Sequence, residues 1–389
     1  MMAKDSTRRE VLGSGLALAC LSVLDMPGWV LPALAQGEAI VPFTDIPKNF
    51  NTNPRPTVRY LDIRKIDGPF TPREQFFTTQ HYGHPEVDQE SFRLKVSGHV
   101  ERPQSFSINE LRNMGHVQLD AGFECSGNSA RRVQGLVGNG RWAGIPLRTV
   151  LDAAGVKSEG QEVVFFGADH GEEQVEFRGR KFSVDQQYGR SLSRQLALSG
   201  EPFLAYSLNG EPLTRHQGAP LRLLMPGWYG AANVKWLTHI HVQTERYLGK
   251  YQARWYRTLR GEMINGELKW KETEISRMRL KSAIARVTRE ENQLKVLGFV
   301  LNDGTPLRSV EVQVDDGPWR SATMSSSTSS KYSWKLFTYM WDHATPGEHT
   351  LVSRVTDVKG RVQPTASDLK TKKTFLEDNA QFPRTVMVT

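Results

Sequence analysis

Phe123-Glu124-Cys125-Ser126-Gly127-Asn128, followed by Asn139-Gly140-Arg141-Trp142-Ala143-Gly144-Ile145-Pro146-Leu147, is the stretch on which the reading of this chain turns. Cys125 is surrounded by small residues. Ser126, Gly127 and Asn128 let the backbone turn tightly and come close to something bulky. A thiolate on such a turn is a ligand or a nucleophile in want of a partner. The other reading is a buried, inert thiol, since free cysteine is among the most buried residue types. Just beyond, residues 146–154 read as a helix with Gly155 past its end.

The cysteine arithmetic sharpens the choice. Ser6-Thr7-Arg8-Arg9 precedes an apolar run of 14 residues at 11–24, and Ala33-Leu34-Ala35 is a small-residue cleavage site. Fourteen residues are too few to span a bilayer core of about 30 Å. The pattern is that of a twin-arginine secretory signal over residues 1–35, cut before Gln36 and predicting a periplasmic protein. Of the two cysteines, Cys20 leaves with the signal and Cys125 remains alone. It has no intramolecular disulfide partner in an oxidising compartment, which favours a coordinated or buried thiol. One cysteine also supports neither a Cys-x-x-Cys-His haem attachment nor an iron–sulfur cluster. The leader carries three cations and three acids, so the net charge of +8 belongs to the mature chain. Its basic residues are scattered, and Arg131-Arg132 and Lys372-Lys373 suit separate anion contacts better than a nucleic-acid surface.

The 389 residues predict two domains, here 36–272 and 273–389. Residues 36–69 are rich in Asn, Pro and Thr and read as an extended arm. Phe92-Arg93-Leu94-Lys95-Val96-Ser97-Gly98 alternates like a half-buried strand, and Ser107 with Glu110 forms a capped helix start. Val163-Val164-Phe165-Phe166-Gly167-Ala168-Asp169-His170-Gly171 reads as a buried strand ending in an acidic turn. Asp169 there is either a turn cap or an acceptor for a ligand amine. Asn209-Gly210 marks a hairpin. Strands and short helices without steady alternation give an α+β fold. Residues 269–279 are charged and lack a core pattern, and read as a linker. Beyond them about seven short strands in about 110 residues, with turns at Asp316-Gly317 and Lys359-Gly360, predict an immunoglobulin-like β-sandwich. The stretch 325–330 is a low-complexity loop.

Five ordered motifs together resemble the sulfite oxidase family of molybdenum enzymes: Cys125-Ser126-Gly127-Asn128, Trp142-Ala143-Gly144-Ile145-Pro146-Leu147, Pro220-Leu221-Arg222, Pro226-Gly227 with Asn233-Val234-Lys235-Trp236-Leu237, and Gln252-Ala253-Arg254-Trp255-Tyr256. The leader is similar to that of the exported bacterial branch, which includes sulfite dehydrogenases and the sulfur dehydrogenase subunit. The resemblance implies a mixed α/β molybdopterin-binding domain followed by a dimerising sandwich. It implies that Cys125 is the thiolate ligand of molybdenum in a pyranopterin dithiolene cofactor (Moco). Arg222 and Lys235 match residues that hold the cofactor phosphate. His81 and Asp169, and less directly Ser183, match further pterin and phosphate contacts. Tyr256 falls at the active-site tyrosine, and Trp142 at the substrate cavity. The implied reaction is oxidation of sulfite to sulfate by oxygen-atom transfer, with electrons passed to a c-type cytochrome by a homodimer that has no membrane span.

The resemblance breaks at the substrate. Thr79 aligns with the substrate-binding arginine, Ala130 stands where animal members have another, and Arg131 one place on is the nearest replacement. Asp315-Asp316-Gly317-Pro318-Trp319 lacks a third, and Gln217 replaces a histidine beside His216. Threonine offers neither the charge nor the fork of a guanidinium. Another sulfur compound, such as a sulfane, an organosulfur compound or a sulfoxide, is therefore the alternative substrate. A non-enzymatic module of the same fold is the third reading, against which stands the retention of Cys125, Tyr256 and the cations.

Overall fold

The computed structural model describes residues 37–325 and 330–389. The leader with Cys20, its cleavage site and the centre of the 325–330 stretch lie outside the described residues. Two five-stranded sheets and a sandwich make up the fold, with few helices, so the α+β reading holds in a strand-rich form.

The first sheet runs, in spatial order, Gln104–Phe106, Leu94–Gly98, Leu237–Gln243, Glu162–Phe177 and Arg180–Ser193. Leu94–Gly98 and Leu237–Gln243 are parallel, and the other pairs antiparallel. The second contains Val117–Glu124, Val137–Pro146 and Phe203–Leu208, with Arg222–Leu224 also paired to the last. Between the sheets sits the helix Leu147–Ala154, whose Leu147, Val150, Leu151 and Ala154 are all buried. That spacing is one face of a 3.6-residue period. Gly155, at φ +70°, ends the helix in the left-handed conformation that glycine adopts without a Cβ clash. Gly144 has a packing reason for its place in its motif. A Cβ there would lie 2.0 Å from the Leu204 carbonyl oxygen across the sheet. The shorter helix Ile108–Asn113 is closed by the anticipated capping box, Glu110 N–H donating to Ser107 Oγ at 3.2 Å and Ser107 N–H to Glu110 Oε2 at 2.7 Å.

The C-terminal unit consists of seven strands between Lys281–Glu290 and Arg384–Val388. Its core is Val296, Phe299, Trp334, Leu336 and Phe337, all buried, in place of a disulfide. The N-terminal arm does lie over the body, and it also adds a strand, Ala39–Val41, to the edge at Val287 through Arg289. One hydrophobic cluster runs from Phe123 and Trp142 of the second sheet through Ile284 to Trp334 of the sandwich. The two units therefore share a core.

Two local readings are corrected. The strand over Glu162–Phe177 does not stop at an acidic turn near Gly171. It continues for 16 residues and returns through Arg178-Gly179, both at positive φ, as Arg180–Ser193. The outer acidic residues alternate across a solvated ribbon, so they carry no core pattern. Likewise the start of the stretch 269–279, read as linker, belongs to the strand Glu267–Glu274, the exposed partner of Arg257–Ile264, turned at Asn265-Gly266. Seven of its eight residues are exposed, so alternation there leaves no buried signal.

Candidate active site

Cys125 comes directly after the Val117–Glu124 strand, and its N–H donates to the Leu136 carbonyl at 2.9 Å. Asn128 braces the turn. Its Nδ2 donates to Glu124 Oε2 (3.1 Å) and to Gln134 O (3.0 Å), while its Oδ1 accepts from Leu136 N–H (3.0 Å). Glu124 in turn meets Lys281 of the sandwich at 2.9 Å, both side chains nearly free of solvent. The thiol is the free cysteine of the described chain, and burial pushes its pKa up, with the Gly127 N–H opposing. Unassisted it stays protonated; a metal ion at the sulfur would displace the proton.

The sulfur lines a cleft enclosing about 610 Å³ up to its open mouth. At one end Tyr256 and His81 meet, with Tyr256 Oη 2.9 Å from His81 Nε2. The five-residue π-turn Lys250–Arg254 sets this up. Trp255 N–H donates to Lys250 O at 2.8 Å, leaving Trp255 half exposed and Tyr256 buried. Such turns recur at functional sites because the extra residue re-aims the next side chains. His81 stacks on Tyr251 at 4.5 Å between ring centroids. Burial, reinforced by the charge of Lys250, brings its pKa down to about 4, so it is neutral at neutral pH. Burial holds the Tyr256 phenol well above its ordinary value.

The other end is cationic. Arg222, on the strand Arg222–Leu224, donates to Gln217 O at 2.9 Å and to Asn233 O at 3.1 Å, and its Nε has no partner. Lys235 Nζ contacts Gln80 Oε1 (2.9 Å), Thr78 Oγ1 (3.2 Å) and His216 O (3.3 Å). Among the described residues no carboxylate forms an ion pair with either cation. Burial lowers Arg222 to about 9. Burial and the neighbouring Arg222 charge lower Lys235 to about 7. Asp169, left out of the ladder where the register slips between Phe166 and His170, lines the same cleft and is raised to about 6 by burial. Two buried cations with neutral partners are costly unless an anion joins them.

Not every anticipated residue is here. Thr79 lines the cleft, as do His81, Asp169, Arg222, Lys235 and Tyr256. Ser183 does not. It is exposed on the outer ribbon and donates to Glu172. Trp142 points the other way along its strand, into the core, where its Nε1–H donates to Ala121 O at 3.0 Å and Arg222 lies over its ring. It supports the cleft from beneath. Arg131 lies outside the cleft, on a larger one at the outer side of the cysteine turn. Sequence reading passes over Gln80 and Tyr188, which line the cleft, and Lys281 behind it. Gln80 is adjacent to His81, whereas Lys281, a cation in a sandwich strand, gives no signal.

A bound cofactor fits this arrangement. Among the described residues no three His, Cys, Asp or Glu side chains group to hold a metal. A metal at Cys125 would take its remaining ligands from a non-protein group. The unpaired Arg222 and Lys235 suit the phosphate of such a group.

Residues 81–251 match the oxidoreductase molybdopterin binding domain. The chain is 34% identical over 203 residues to a sulfite oxidase of Gallus gallus, covering 48% of this chain and 42% of that protein. It is 32% identical over 225 residues to an NADH nitrate reductase of Ulva prolifera, covering 53% and 24%. With the mitochondrial sulfite oxidase of Homo sapiens it shares 28% over 355 residues, covering 81% and 60%. The chain thus spans less than two thirds of these relatives' lengths. In fold it superposes on the sulfane dehydrogenase SoxCD from Paracoccus pantotrophus with a TM-score of 0.71 at 24% identity, over 88% and 90% of the two chains. Fold, thiol and cation-lined cleft together suit the molybdopterin-binding domain that residues 81–251 match. The chain carries a molybdopterin-binding domain and is similar to the sulfite oxidases.

Proposed function

We propose that this protein oxidises a small sulfur oxoanion, sulfite in the first instance, in the periplasm, and delivers the electrons to a c-type cytochrome as a homodimer. The observation that carries the reading is one cleft holding Cys125, the Tyr256–His81 pair and the unpaired Arg222 and Lys235. The twin-arginine leader supports export, and the relatives named sulfite oxidase support the substrate class.

When bound, the molybdenum cofactor supplies the two-electron redox couple and the oxygen-transfer chemistry. The chain's own residues do the rest. Cys125 anchors the group by its sulfur. Arg222 and Lys235 would hold its anionic end by charge-assisted bonds, in which Lys235 would regain the cationic state that burial disfavours. Tyr256 keeps its proton across the working pH range and presents it as a donor. Neutral His81 fixes the phenol by the 2.9 Å bond and offers a site to which a proton passes.

A specific observation favours a second substrate. The wall position aligned with the sulfite-binding arginine is the uncharged Thr79. A sulfane or organosulfur substrate carrying less charge suits that wall, and the likeness to a sulfane dehydrogenase agrees in fold.

Steady-state oxidation of sulfite with cytochrome c, on protein of verified molybdenum content, tests the first reading. Turnover is expected, with Tyr256→Phe lowering kcat on the order of 10²-fold. Full molybdenum without sulfite turnover rejects sulfite and leaves the second substrate.

A further inference from the structure

We infer that the outer cleft beside Cys125 binds an organic sulfinate, a monoanion whose apolar substituent rests on Phe375. The inference rests on the second substrate reading and names its chemical class.

This cleft lies between the cysteine turn and the C-terminal segment and encloses about 1610 Å³ up to its open mouth, against about 610 Å³ for the cleft that Cys125 lines. Its lining combines two chemistries. Arg131, Arg132 and Lys372 supply cations against the single acid Asp378. Arg131 is exposed and, among the described residues, in no ion pair. Arg132 donates to Gly127 O, and Lys372 to Leu376 O at 2.8 Å. Leu369 and Phe375 add apolar surface to the same lining, and Phe375 is 69% exposed.

Gly127 separates this cleft from the sulfur, which lines the other one. A methyl group added at Gly127 would lie 3.6 Å from Arg132 Nη1, 3.6 Å from Phe375 Cε2 and 3.8 Å from Cys125 Sγ. A guanidinium and an apolar ring of the outer cleft and the anchoring thiol of the inner one thus all lie close to Gly127. The Glu377 N–H bond to Ser126 O, 2.7 Å, ties the Phe375 segment to the turn. A small hydrated anion gains nothing from an exposed phenyl face beside the reacting centre. An anion with an apolar body gains both the charge contact and the burial.

Among such anions the oxidation needs a sulfur that still has a lone pair. A sulfinate has one and a sulfonate does not. The reaction is R–SO₂⁻ + H₂O → R–SO₃⁻ + 2H⁺ + 2e⁻. One S–O bond forms with oxygen from water, sulfur is oxidised by two electrons, and these leave through the molybdopterin centre to a one-electron acceptor such as a c-type cytochrome.

The first test is binding, which does not depend on turnover. Benzenesulfonate, an unreactive analogue, is titrated calorimetrically against the purified protein, with sulfate as reference. Benzenesulfonate binding at least about tenfold tighter than sulfate is expected, with most of that preference lost in Phe375→Ala. Equal affinities, or a preference that survives Phe375→Ala, overturn the site whatever the metal content. The second test is turnover on molybdenum-loaded protein. Benzenesulfinate is expected to exceed sulfite in kcat/KM, the ratio falling about tenfold in Phe375→Ala. Sulfite oxidation without benzenesulfinate oxidation overturns the substrate class. Failure of both substrates on loaded protein falls on the proposed oxidase function instead, and the binding result still decides the cleft.

Discussion

Lys235 shows how a single residue can be poor for the fold and good for the site. Its ammonium is desolvated, close to Arg222, and supported by neutral oxygens, the Trp236 ring and the flanking Asp169. Its folded pKa of about 7 lies below the ordinary 10.5. Between those values the unfolded chain holds a proton that the folded chain has released. The stability of cofactor-free protein therefore rises as pH goes from about 7 towards 10.5, and the contribution is flat below 7. In Lys235→Met that slope should be missing and the cofactor-free Tm higher at pH 7, while cofactor retention falls. Thermal melts across pH, paired with phosphate and molybdenum analysis, check both halves. A melt that loses stability in the variant would contradict the anion-site reading. Residue by residue, the sequence is informative where chemistry and motif agree, as at His81, Asp169, Arg222, Lys235 and Tyr256, which line one cleft. It misleads where strand geometry decides direction. Trp142 turns into the core by alternation, and Ser183 is carried out by a ribbon whose length nothing in the acidic stretch announces.

At the scale of elements, the cysteine turn is held from both sides. The strand Val117–Glu124 delivers it, and the sandwich strand Lys281–Glu290 grips the strand's last residue through the buried Lys281–Glu124 pair. Removing one partner of a buried pair leaves a charge without compensation, at a cost of about 3–5 kcal/mol. Lys281→Met is expected to lower stability by about that much. The double change with Glu124→Leu should recover a substantial part of it. Urea unfolding of the single and double variants measures this, and an additive double variant would contradict a direct pairing. This grip is not legible in the sequence, because a lysine at the head of a strand reads as solvent-facing. The Asn265-Gly266 turn is legible in principle. The charges around it mask a hairpin that buries almost nothing on its outer strand.

Over the whole molecule, the shared cluster from Phe123 through Ile284 to Trp334 makes the sandwich part of the active-site scaffold. Calorimetry should therefore show one cooperative transition for both units. Two resolved transitions would mean that the sandwich folds independently and that its grip on the cysteine turn is incidental. The class of fold is readable from strand spacing and turn residues. The shared core is not, because a hydrophobic pattern says which side of a strand is buried but not against what.

That Cys125 supplies one of the sulfur ligands to a bound molybdenum cofactor is tested most directly by molybdenum K-edge X-ray absorption on the native protein and on Cys125→Ser. Molybdenum is expected in both or in the native protein alone, with one sulfur ligand fewer wherever the variant retains the metal. Native protein without molybdenum when isolated from a cofactor-producing host, or an unchanged sulfur count in Cys125→Ser, would contradict it.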